Sequence, residues 1–264
     1  MEKLGEALLG KTGVVILFFG AVFLLERLFP AVRPELSRIA GNAMNPLLRI
    51  AKNLGFAGIN AVISPLIVIP ITLWASQWSL GWRPGWLSGP AGLLFDLLVL
   101  DLWIYWWHRA NHRVPFLWRF HEVHHLDPFL DVTTAVRFHL GEVMLSAVVR
   151  AAVIIVLAVP ITSVVIFEVA LLLATMFHHS NLRLPERLER ALSWFVVTPS
   201  IHWVHHHALR RDTDSNYATV LSVWDRLFAS RSSTMRTPDL EIGVQGESEK
   251  PFLSLIARPF RSQS

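Results

Sequence analysis

The twelve histidines are the residues of this sequence that could bind a metal ion, and all of them lie between His108 and His207. The 264 residues include no cysteine, which excludes thiolate metal sites, iron–sulfur clusters and cysteine nucleophiles. Any metal ion must therefore be bound through nitrogen or oxygen. Imidazole binds zinc, copper, nickel and iron, so the residue type alone does not select the metal.

Most of the histidines fall into three groups with helical spacing. These are His108 and His112, then His121, His124 and His125, and then His202, His205 and His206. Residues three and four apart share one face of a helix, so each group directs its imidazoles toward a common point. A metal ion would satisfy one nitrogen of each ring, whereas buried rings without partners would destabilise the fold. Because a single zinc takes four ligands, eight imidazoles predict at least two ions.

The series H-x-x-x-H, H-x-x-H-H and H-x-x-H-H resembles the histidine boxes of the fatty acid hydroxylase/sterol desaturase superfamily, which are membrane di-iron oxygenases. Further matching motifs are R-x-H-x-x-E at 137–142, H-S-N at 179–181, D-S-N-Y at 214–217 and W-D-R-L-F at 224–228. The resemblance covers about 100–228. Leu140 and Ala218 stand where many relatives have proline and glycine, and neither residue is a ligand.

The resemblance implies two iron ions and ten histidine ligands. These are His108, His112, His121, His124, His125, His139, His179, His202, His205 and His206. His178 and His207 flank them and are left out. Neutral imidazoles also need acceptors for their outer N–H groups, and Glu142, Asn216 and Asp225 are the candidates. The alternative role for these three residues is helix capping or a loop turn.

A pair of iron ions would supply the oxidant that an unactivated C–H bond requires, since acids, bases and nucleophiles do not break such a bond. The resemblance therefore implies dioxygen as co-substrate and hydroxylation or desaturation of a membrane lipid. A fatty acyl chain, a sterol or hopanoid, a carotenoid and an ether lipid all remain open. The sequence has no dinucleotide-binding glycine motif and no haem signature, so we expect an external electron donor, namely a ferredoxin, a cytochrome or a flavin reductase.

Two other functions fit part of the pattern. The segment H-E-V-H-H at 121–125 also matches the H-E-x-x-H motif of zinc metalloproteases, in which Glu122 would be the general base. A membrane protease would leave most of the other imidazoles unexplained. A metal transporter or sensor would place histidines along the membrane spans, whereas here they are predicted at span ends and in loops.

Composition predicts an integral membrane protein, because 53% of the residues are hydrophobic and only 17% are charged. Apolar runs predict spans at 57–76 and 86–107 and a helical hairpin over 143–177 that turns near Pro160, and the run 13–25 is a further candidate. The expected fold is all-α, with four or five transmembrane helices and a cytoplasmic helical cap that holds a histidine-rich dimetal site. Asp96 and Asp101 should face the protein interior, and Arg150 should pair with Glu168.

The distribution of positive charge predicts the orientation in the membrane. Residues 26–56 carry five lysines and arginines and residues 77–88 carry one, which places the first loop and the histidines on the cytoplasmic side. The net charge of +4 is scattered and forms no basic stripe, so nucleic acid is not an expected partner. With no cleavable signal in view, we expect the bacterial inner membrane.

We expect one domain over residues 1–236, with the motifs in 100–228. Residues 237–264 mix charges with glycine, proline and serine, a composition typical of a loosely ordered tail. One short amphipathic stretch is predicted within this tail, at 251–259.

Overall fold

The structure is a computed structural model that describes residues 2–33, 45–78, 80 and 82–261, with side chains described from residue 12 onward. The described residues are mostly helical and form three isolated bridges but no β-strand, which confirms the predicted all-α class. The helices are α1 Glu2–Leu28, α2 Pro46–Ile63, α3 Val68–Gln77, α4 Gly89–Arg113, α5 Pro115–His125, α6 Leu140–Leu157, α7 Ile161–His179, α8 Glu186–Leu192, α9 Pro199–His205, α10 Arg210–Thr213, α11 Val223–Leu227 and α12 Phe252–Ala257.

Three helices of the described chain, α4, α6 and α7, are long and apolar enough to cross a membrane. The pair α2 and α3 is a fourth candidate, but its two helices are bent by 45° relative to each other. The structure therefore differs from the continuous span predicted over 57–76. Pro65 lies in the break, where a residue without a backbone N–H donor interrupts the helical hydrogen bonds. The run 13–25 lies within α1, and its crossing of the membrane stays a prediction.

Helices α6 and α7 form the predicted hairpin. The chain leaves α6 through Ala158, which adopts a left-handed conformation with φ of 52°, and enters α7 directly after Pro160. Arg150 Nη2 lies 3.3 Å from Glu168 Oε1, so the predicted ion pair across the hairpin is confirmed.

Two carboxylates of α4 lie inside the protein, as predicted for charges within an apolar span. Asp96 accepts from both terminal nitrogens of Arg83, at 2.8 and 3.0 Å, and from Ser163 Oγ at 2.7 Å. Asp101 accepts from Trp224 Nε1 at 2.8 Å. Both carboxylates are buried. These contacts join α4 to α7 and α11 and so fix the helix that carries the first two histidines.

Prolines set the starting points of the two short helices that carry five of the remaining ten histidines. Pro115 is the first residue of α5 and follows Val114, and Pro199 is the first residue of α9 and follows Thr198. Proline suits the first helical position because its φ is already helical and its missing N–H would have no partner there. The residue before each proline is extended, as this position requires.

The loop between α5 and α6 is held by a buried polar network. Arg49 of α2 donates to Asp127 Oδ2 at 3.0 Å and also contacts the Asp131 carboxylate. Asn53 donates to Asp127 Oδ2 at 2.7 Å. Burial alone would raise the pKa of Asp127, but the charges of Arg49 and Arg137 hold it below its ordinary value. The network keeps the backbone of this loop beside the histidines.

Parts of the C-terminal segment pack against the helices, which differs from the loosely ordered tail expected over 237–264, of which residues 262–264 lie outside the described residues. Ile242 packs in one hydrophobic cluster with Trp203, and Leu255 of α12 packs in another with Val123. Arg258 donates to both oxygens of Glu122, at 2.7 and 2.9 Å. Buried apolar surface and this ion pair offset the entropy of ordering the segment. Helix α12 lies within the predicted amphipathic stretch.

Candidate metal centre

Nine histidines form two groups in which the ligand nitrogens all lie within 4.8 Å of one another. The five-histidine group contains His108, His112, His121, His125 and His205. The four-histidine group contains His124, His179, His202 and His206. His108 is partly buried and the other eight side chains are buried. The structure therefore brings together nine of the ten histidines that the sequence singles out.

Neighbouring histidines belong to different groups. His124 lies in the four-histidine group and His125 in the five-histidine group, and the same division separates His206 from His205. Successive residues of an α-helix point about 100° apart, since about 3.6 residues complete one turn. The H-x-x-H-H pattern therefore serves two adjacent centres from one helix.

Backbone carbonyls accept a hydrogen bond from Nδ1 of four of these imidazoles. The pairs are His108 with Tyr217 at 2.8 Å, His205 with Ser215 at 2.7 Å, His124 with Arg137 at 3.2 Å, and His179 with Thr175 at 2.8 Å. A carbonyl oxygen only accepts, so Nδ1 must carry the hydrogen. In the neutral ring, Nε2 is then left with a lone pair and no hydrogen.

Glu142 fixes a fifth imidazole in the same way. Its Oε1 lies 2.9 Å from His121 Nδ1 and 3.4 Å from Asn111 Nδ2. The carboxylate accepts the Nδ1 hydrogen, so the Nε2 lone pair of His121 points into the five-histidine group. This contact supports the predicted role of Glu142 as an acceptor for a histidine N–H.

These lone pairs point at one another. Nε2 of His108 lies 3.2 Å from Nε2 of His121, and Nε2 of His124 lies 3.0 Å from Nε2 of His179. Both distances suit a hydrogen bond, but neither atom of either pair carries a hydrogen, so the contact is repulsive unless a cation is shared. In addition, both ring nitrogens of His112 have no hydrogen-bond partner among the described residues although they are buried. The donor set fits metal ions.

Several imidazoles lie outside the membrane spans, and burial keeps them in the neutral form that binds metal. The pKa values of five of them are held well below the ordinary value of histidine, first by burial and then by the neighbouring imidazoles. These five are His124, His125, His202, His205 and His206. A neutral imidazole has the free nitrogen that a metal ion needs.

The structure places His139 outside both groups. Its Nδ1 accepts from Gly141 N at 3.0 Å and caps the start of α6, and its Nε2 lies 3.0 Å from the Ile256 carbonyl. One nitrogen accepts and the other donates, so both valences of a neutral imidazole are used within the protein. His139 therefore positions α6 and the C-terminal segment.

The other two predicted acceptors act on the backbone. Asn216 has a positive φ of 51°, and its Oδ1 accepts from Ser232 N at 3.0 Å, which fits the alternative role of forming a loop turn. Asp225 accepts from Tyr217 N at 2.7 Å and Ala218 N at 3.0 Å. Asp225 thus holds the peptide whose carbonyl accepts from His108.

Sequence reasoning missed the backbone carbonyls that orient the imidazoles, since a carbonyl oxygen belongs to every residue and gives no sequence signal. It also missed Asp212, which lies 2.8 Å from Nδ1 of His207. His178 lies beside the four-histidine group, and its Nδ1 contacts the Thr219 carbonyl at 3.1 Å. Neither His178 nor His207 belongs to either group.

Glu122 of the H-E-x-x-H motif is engaged away from the imidazoles. Both of its oxygens accept from Arg258, as described above, and this bidentate contact raises the pKa of Arg258. His121 and His125 lie in one group with three further imidazoles. This arrangement differs from a protease centre, in which two histidines would bind zinc and Glu122 would be free to act as general base.

A cavity of about 580 Å³ leads from the histidines into the membrane-spanning region. Among the residues that line it at the metal centre are His108, His121 and His124. Along the spans its wall is mostly apolar, with side chains such as Leu73 and Val165 from α3 and α7. This volume is within the usual range for ligand sites, roughly 300 to 1,000 Å³.

Known proteins that are similar to this chain include hydroxylases and monooxygenases by name. The ornithine lipid hydroxylase OlsE of Rhizobium tropici is 26% identical over 168 residues, which cover 64% of this chain and 50% of that protein. The alkylglycerol monooxygenase of Danio rerio is 32% identical and that of Homo sapiens 31%, each over 133 residues that cover 50% of this chain and 29% of the relative. The chain thus spans half the length of these relatives or less. No solved structure matches.

The pattern of the family described as fatty acid hydroxylase matches residues 93–230. This range is more than half of the chain, and it begins in α4 and includes both histidine groups, Glu142 and Asp225. By its sequence, the chain belongs to the fatty acid hydroxylase family.

Proposed function

We propose that this protein is a di-iron oxygenase that uses dioxygen to hydroxylate a C–H bond of a membrane lipid. One observation carries the proposal: the mostly apolar cavity between the spans ends at imidazoles of both histidine groups. A lipid chain in this cavity would bring one carbon to the metal centre. Membership of the family supports hydroxylation of lipids, and desaturation would follow from the loss of a second hydrogen at the same site.

The nine histidines of the two groups would hold the ions, one ion in each group. Five imidazoles in one group exceed the four ligands of a tetrahedral zinc site, which favours a metal with a higher coordination number. When bound, iron supplies the redox chemistry that activates dioxygen. Two relatives are monooxygenases by name, which supports this class of reaction.

The residues of the chain prepare the centre and the substrate. Glu142 and the carbonyls of Tyr217 and Ser215 hold the Nδ1 hydrogens and so aim the Nε2 lone pairs at the ions. Hydrogen bonding at the outer nitrogen also makes an imidazole a stronger ligand. The apolar wall of the cavity excludes water from the reacting carbon and keeps an alkyl chain extended toward the histidines.

The substrate class is a lipid with a long apolar chain. The cavity lies between membrane-spanning helices, so such a chain enters from the bilayer and not from water. The names of the relatives contain an ornithine lipid and an alkylglycerol, which agrees with a lipid substrate for this chain.

Electrons come from a separate redox protein with an acidic surface. Trp118 is partly exposed, and its ring centre lies 5.1 Å from that of His112 and 5.5 Å from that of His125. The Arg210 guanidinium covers Trp118 at 4.5 Å, and Arg211 nearby has 80% of its side chain exposed. The arginines attract an acidic partner, and Trp118 links its docking face to the five-histidine group. Full turnover by the purified protein with NADPH alone would contradict an external donor.

The centre lies on the cytoplasmic side of a bacterial inner membrane. Because the chain has no cysteine, a single cysteine can report this orientation. Glu186 at the start of α8 is 85% exposed and follows the histidine end of α7 closely in the chain. In Glu186→Cys, an impermeant maleimide should react in inverted vesicles and not in intact spheroplasts. The reverse pattern overturns the orientation.

The deciding experiment is metal analysis joined to Mössbauer spectroscopy on protein expressed with iron-57. Two irons per chain that behave as a coupled pair after oxidation, followed by oxygen-dependent hydroxylation of lipid in reconstituted membranes, support the proposal. One tight zinc and no iron would contradict it and favour a hydrolase. Two zinc ions that iron does not replace would support the two histidine groups as ligand sets but would contradict the oxygenase function.

A further inference from the structure

An exposed apolar surface lies outside the membrane-spanning helices, on two short segments that pair with each other. Its side chains are Trp194, Phe195, Val223 and Leu227, and the first two are 62% and 71% exposed. Large apolar side chains that are exposed together usually mark contact with a partner or with a membrane. The metal centre and the cavity give these residues, which we call the Trp194 surface, no role.

Hydrogen bonds within the protein satisfy the backbone of the two segments. Ser222 N donates to the Phe195 carbonyl at 3.1 Å. Arg226 donates to the Ser193 carbonyl at 3.2 Å and also to the Trp194 carbonyl. The Arg226 guanidinium lies over the Trp194 ring, 5.0 Å from its centre. Backbone that enters an apolar environment needs such internal partners, because lipid chains offer none.

Contacts with α4 define the depth of the paired segments. Asp101 of α4 accepts from Leu221 N at 3.1 Å and from Trp224 Nε1 at 2.8 Å. Helix α10 is attached nearer to the end of α4, where Arg210 donates to the His112 carbonyl at 2.7 Å. His112 follows Asp101 by 11 residues on α4. At about 1.5 Å per residue, the paired segments attach roughly 16 Å closer to the middle of this span than α10 does.

An exposed side of α4 continues into the Trp194 surface. Trp106 of α4 is partly outside the protein core, and its ring centre lies 4.9 Å from that of Phe228, the residue after Leu227. Tryptophan is common where a span meets the lipid headgroups, and Trp106 lies toward the histidine end of α4. The membrane that α4 crosses therefore borders the paired segments.

We propose that the Trp194 surface inserts into the headgroup boundary of the leaflet at the histidine end of the spans. The partner is the lipid bilayer, with Trp194, Phe195 and Leu227 among the upper acyl chains and Arg226 near the headgroups. Amphipathic segments bind a membrane interface in this way, with the apolar face buried by about 5 to 10 Å. The cap that carries the histidines therefore lies partly in the membrane.

Insertion fixes the height of the metal centre relative to the bilayer. The chain that leads into the second paired segment contains Tyr217, whose carbonyl accepts from His108 Nδ1, and Thr219, which lines the cavity. Lipid contact at the Trp194 surface thus steadies the backbone that orients one histidine and forms part of the cavity wall.

Photolabelling of the wild-type protein tests the insertion. The protein is reconstituted in phosphatidylcholine nanodiscs with a trace of the same lipid that carries a diazirine in the acyl chain close to the headgroup. After irradiation and trypsin digestion, the peptide of Trp194 should carry about tenfold more label per residue than the peptide of Met235, the factor by which burial of one large apolar side chain favours the bilayer. Met235 is a matched control, because it is 80% exposed while its neighbour Thr234 contacts Asp212 of α10.

Single cysteines measure the depth independently, because the chain has no cysteine of its own. Spin labels at Phe195→Cys and Leu227→Cys should collide more often with oxygen, which concentrates in acyl chains, than with a water-soluble nickel chelate. Leu94→Cys on the exposed side of α4 is the reference for a position in lipid and should behave alike. Met235→Cys should show the reverse preference. All four residues are exposed, so these substitutions should leave the fold intact.

Either measurement can overturn the insertion. Equal labelling of the Trp194 and Met235 peptides would do so, and so would access of the nickel chelate to positions 195 and 227 that equals its access to position 235. The Trp194 surface would then face water and be open to a protein partner. Neither measurement requires dioxygen, electrons or turnover, so failure of the insertion and failure of the proposed function are distinguishable.

Discussion

His121 Nδ1 donates to Glu142 Oε1 at 2.9 Å, and this contact aims Nε2 of the same ring at Nε2 of His108, 3.2 Å away. A residue at the start of α6 thus controls the orientation of a candidate metal ligand on α5. Glu142 is buried, and its second oxygen has no hydrogen-bond partner among the described residues.

Replacing Glu142 with leucine should weaken metal binding in the five-histidine group. The Nδ1 hydrogen of His121 would lose its acceptor, and such outer contacts are typically worth about 10- to 100-fold in metal affinity. Titration of the metal-free protein with ferrous iron measures the change. Glu142→Gln keeps an acceptor oxygen and should lie close to wild type, and Glu186→Leu on the exposed surface is the control. Equal affinity in Glu142→Leu and wild type would exclude this role.

The adjacent histidines His178 and His179 of α7 should differ sharply in their effect on metal binding. His179→Asn removes a member of the four-histidine group and should leave close to one metal ion per chain. His178→Asn alters an equally buried ring outside both groups and should retain two. Elemental analysis of the purified variants gives the count. Loss of metal from His178→Asn but not from His179→Asn would refute the assignment.

His139→Asn should also retain both ions. Asparagine is a preferred helix N-cap, so it replaces the contact from His139 Nδ1 to Gly141 N at the start of α6. The contact with the Ile256 carbonyl is lost, and we expect a stability decrease of about 1 kcal/mol. Metal analysis and thermal unfolding of the same preparation measure both effects. Loss of one ion would make His139 a ligand.

Arg258→Met should destabilise the protein by about 2 to 3 kcal/mol, because the buried Glu122 loses both charge-assisted hydrogen bonds. The double variant Arg258→Met with Glu122→Gln should recover part of this loss, since no charge is left unpaired. Thermal unfolding measures both. Glu122→Gln alone should keep two metal ions and lipid hydroxylation. Complete loss of lipid hydroxylation in Glu122→Gln, with both metal ions retained, would contradict a purely structural role for Glu122.

The metal-free protein should lose stability as the pH falls below about 6.5, the ordinary pKa of histidine. Burial lowers the pKa of His124, His202 and His206 in the folded state, so below this pH the unfolded chain binds more protons. Stability is therefore intact above about pH 6.5, and each such histidine removes up to about 1.4 kcal/mol per pH unit below it. Unfolding temperatures at several pH values test this, and His206→Asn should show a shallower slope. A flat profile would contradict it.

Spacing in the sequence predicts that the histidines come together, but the expectation that His121, His124 and His125 point to one common point was wrong. His121 and His125 lie in the five-histidine group and His124 lies in the four-histidine group. Spacing does not predict the partners of the outer nitrogens. The carbonyls of Tyr217 and Ser215 reach His108 and His205 only through the fold of a loop that Asp225 organises in part. His139 stands at a position of the R-x-H-x-x-E motif, but its side chain caps α6 and lies outside both histidine groups.

The C-terminal segment also lay beyond sequence reasoning. Its mixed charges and small residues are typical of a disordered tail, and nothing local indicates that Arg258 has a partner 136 residues away in Glu122. Long-range pairing of this kind depends on the surface that the earlier helices present. Membrane spans were better predicted, although proline at position 65 bends one of them.

Because His124 and His125 lie in different groups, as do His205 and His206, two bound ions would be coupled mechanically. Each pair of ligands is joined by one peptide unit, whose Cα atoms are fixed at about 3.8 Å. Occupying one group therefore freezes backbone that the other group also needs. Binding of the first ion would order this backbone for both groups. The second ion should therefore bind more tightly, and the loading curve should be sigmoidal instead of showing two independent steps.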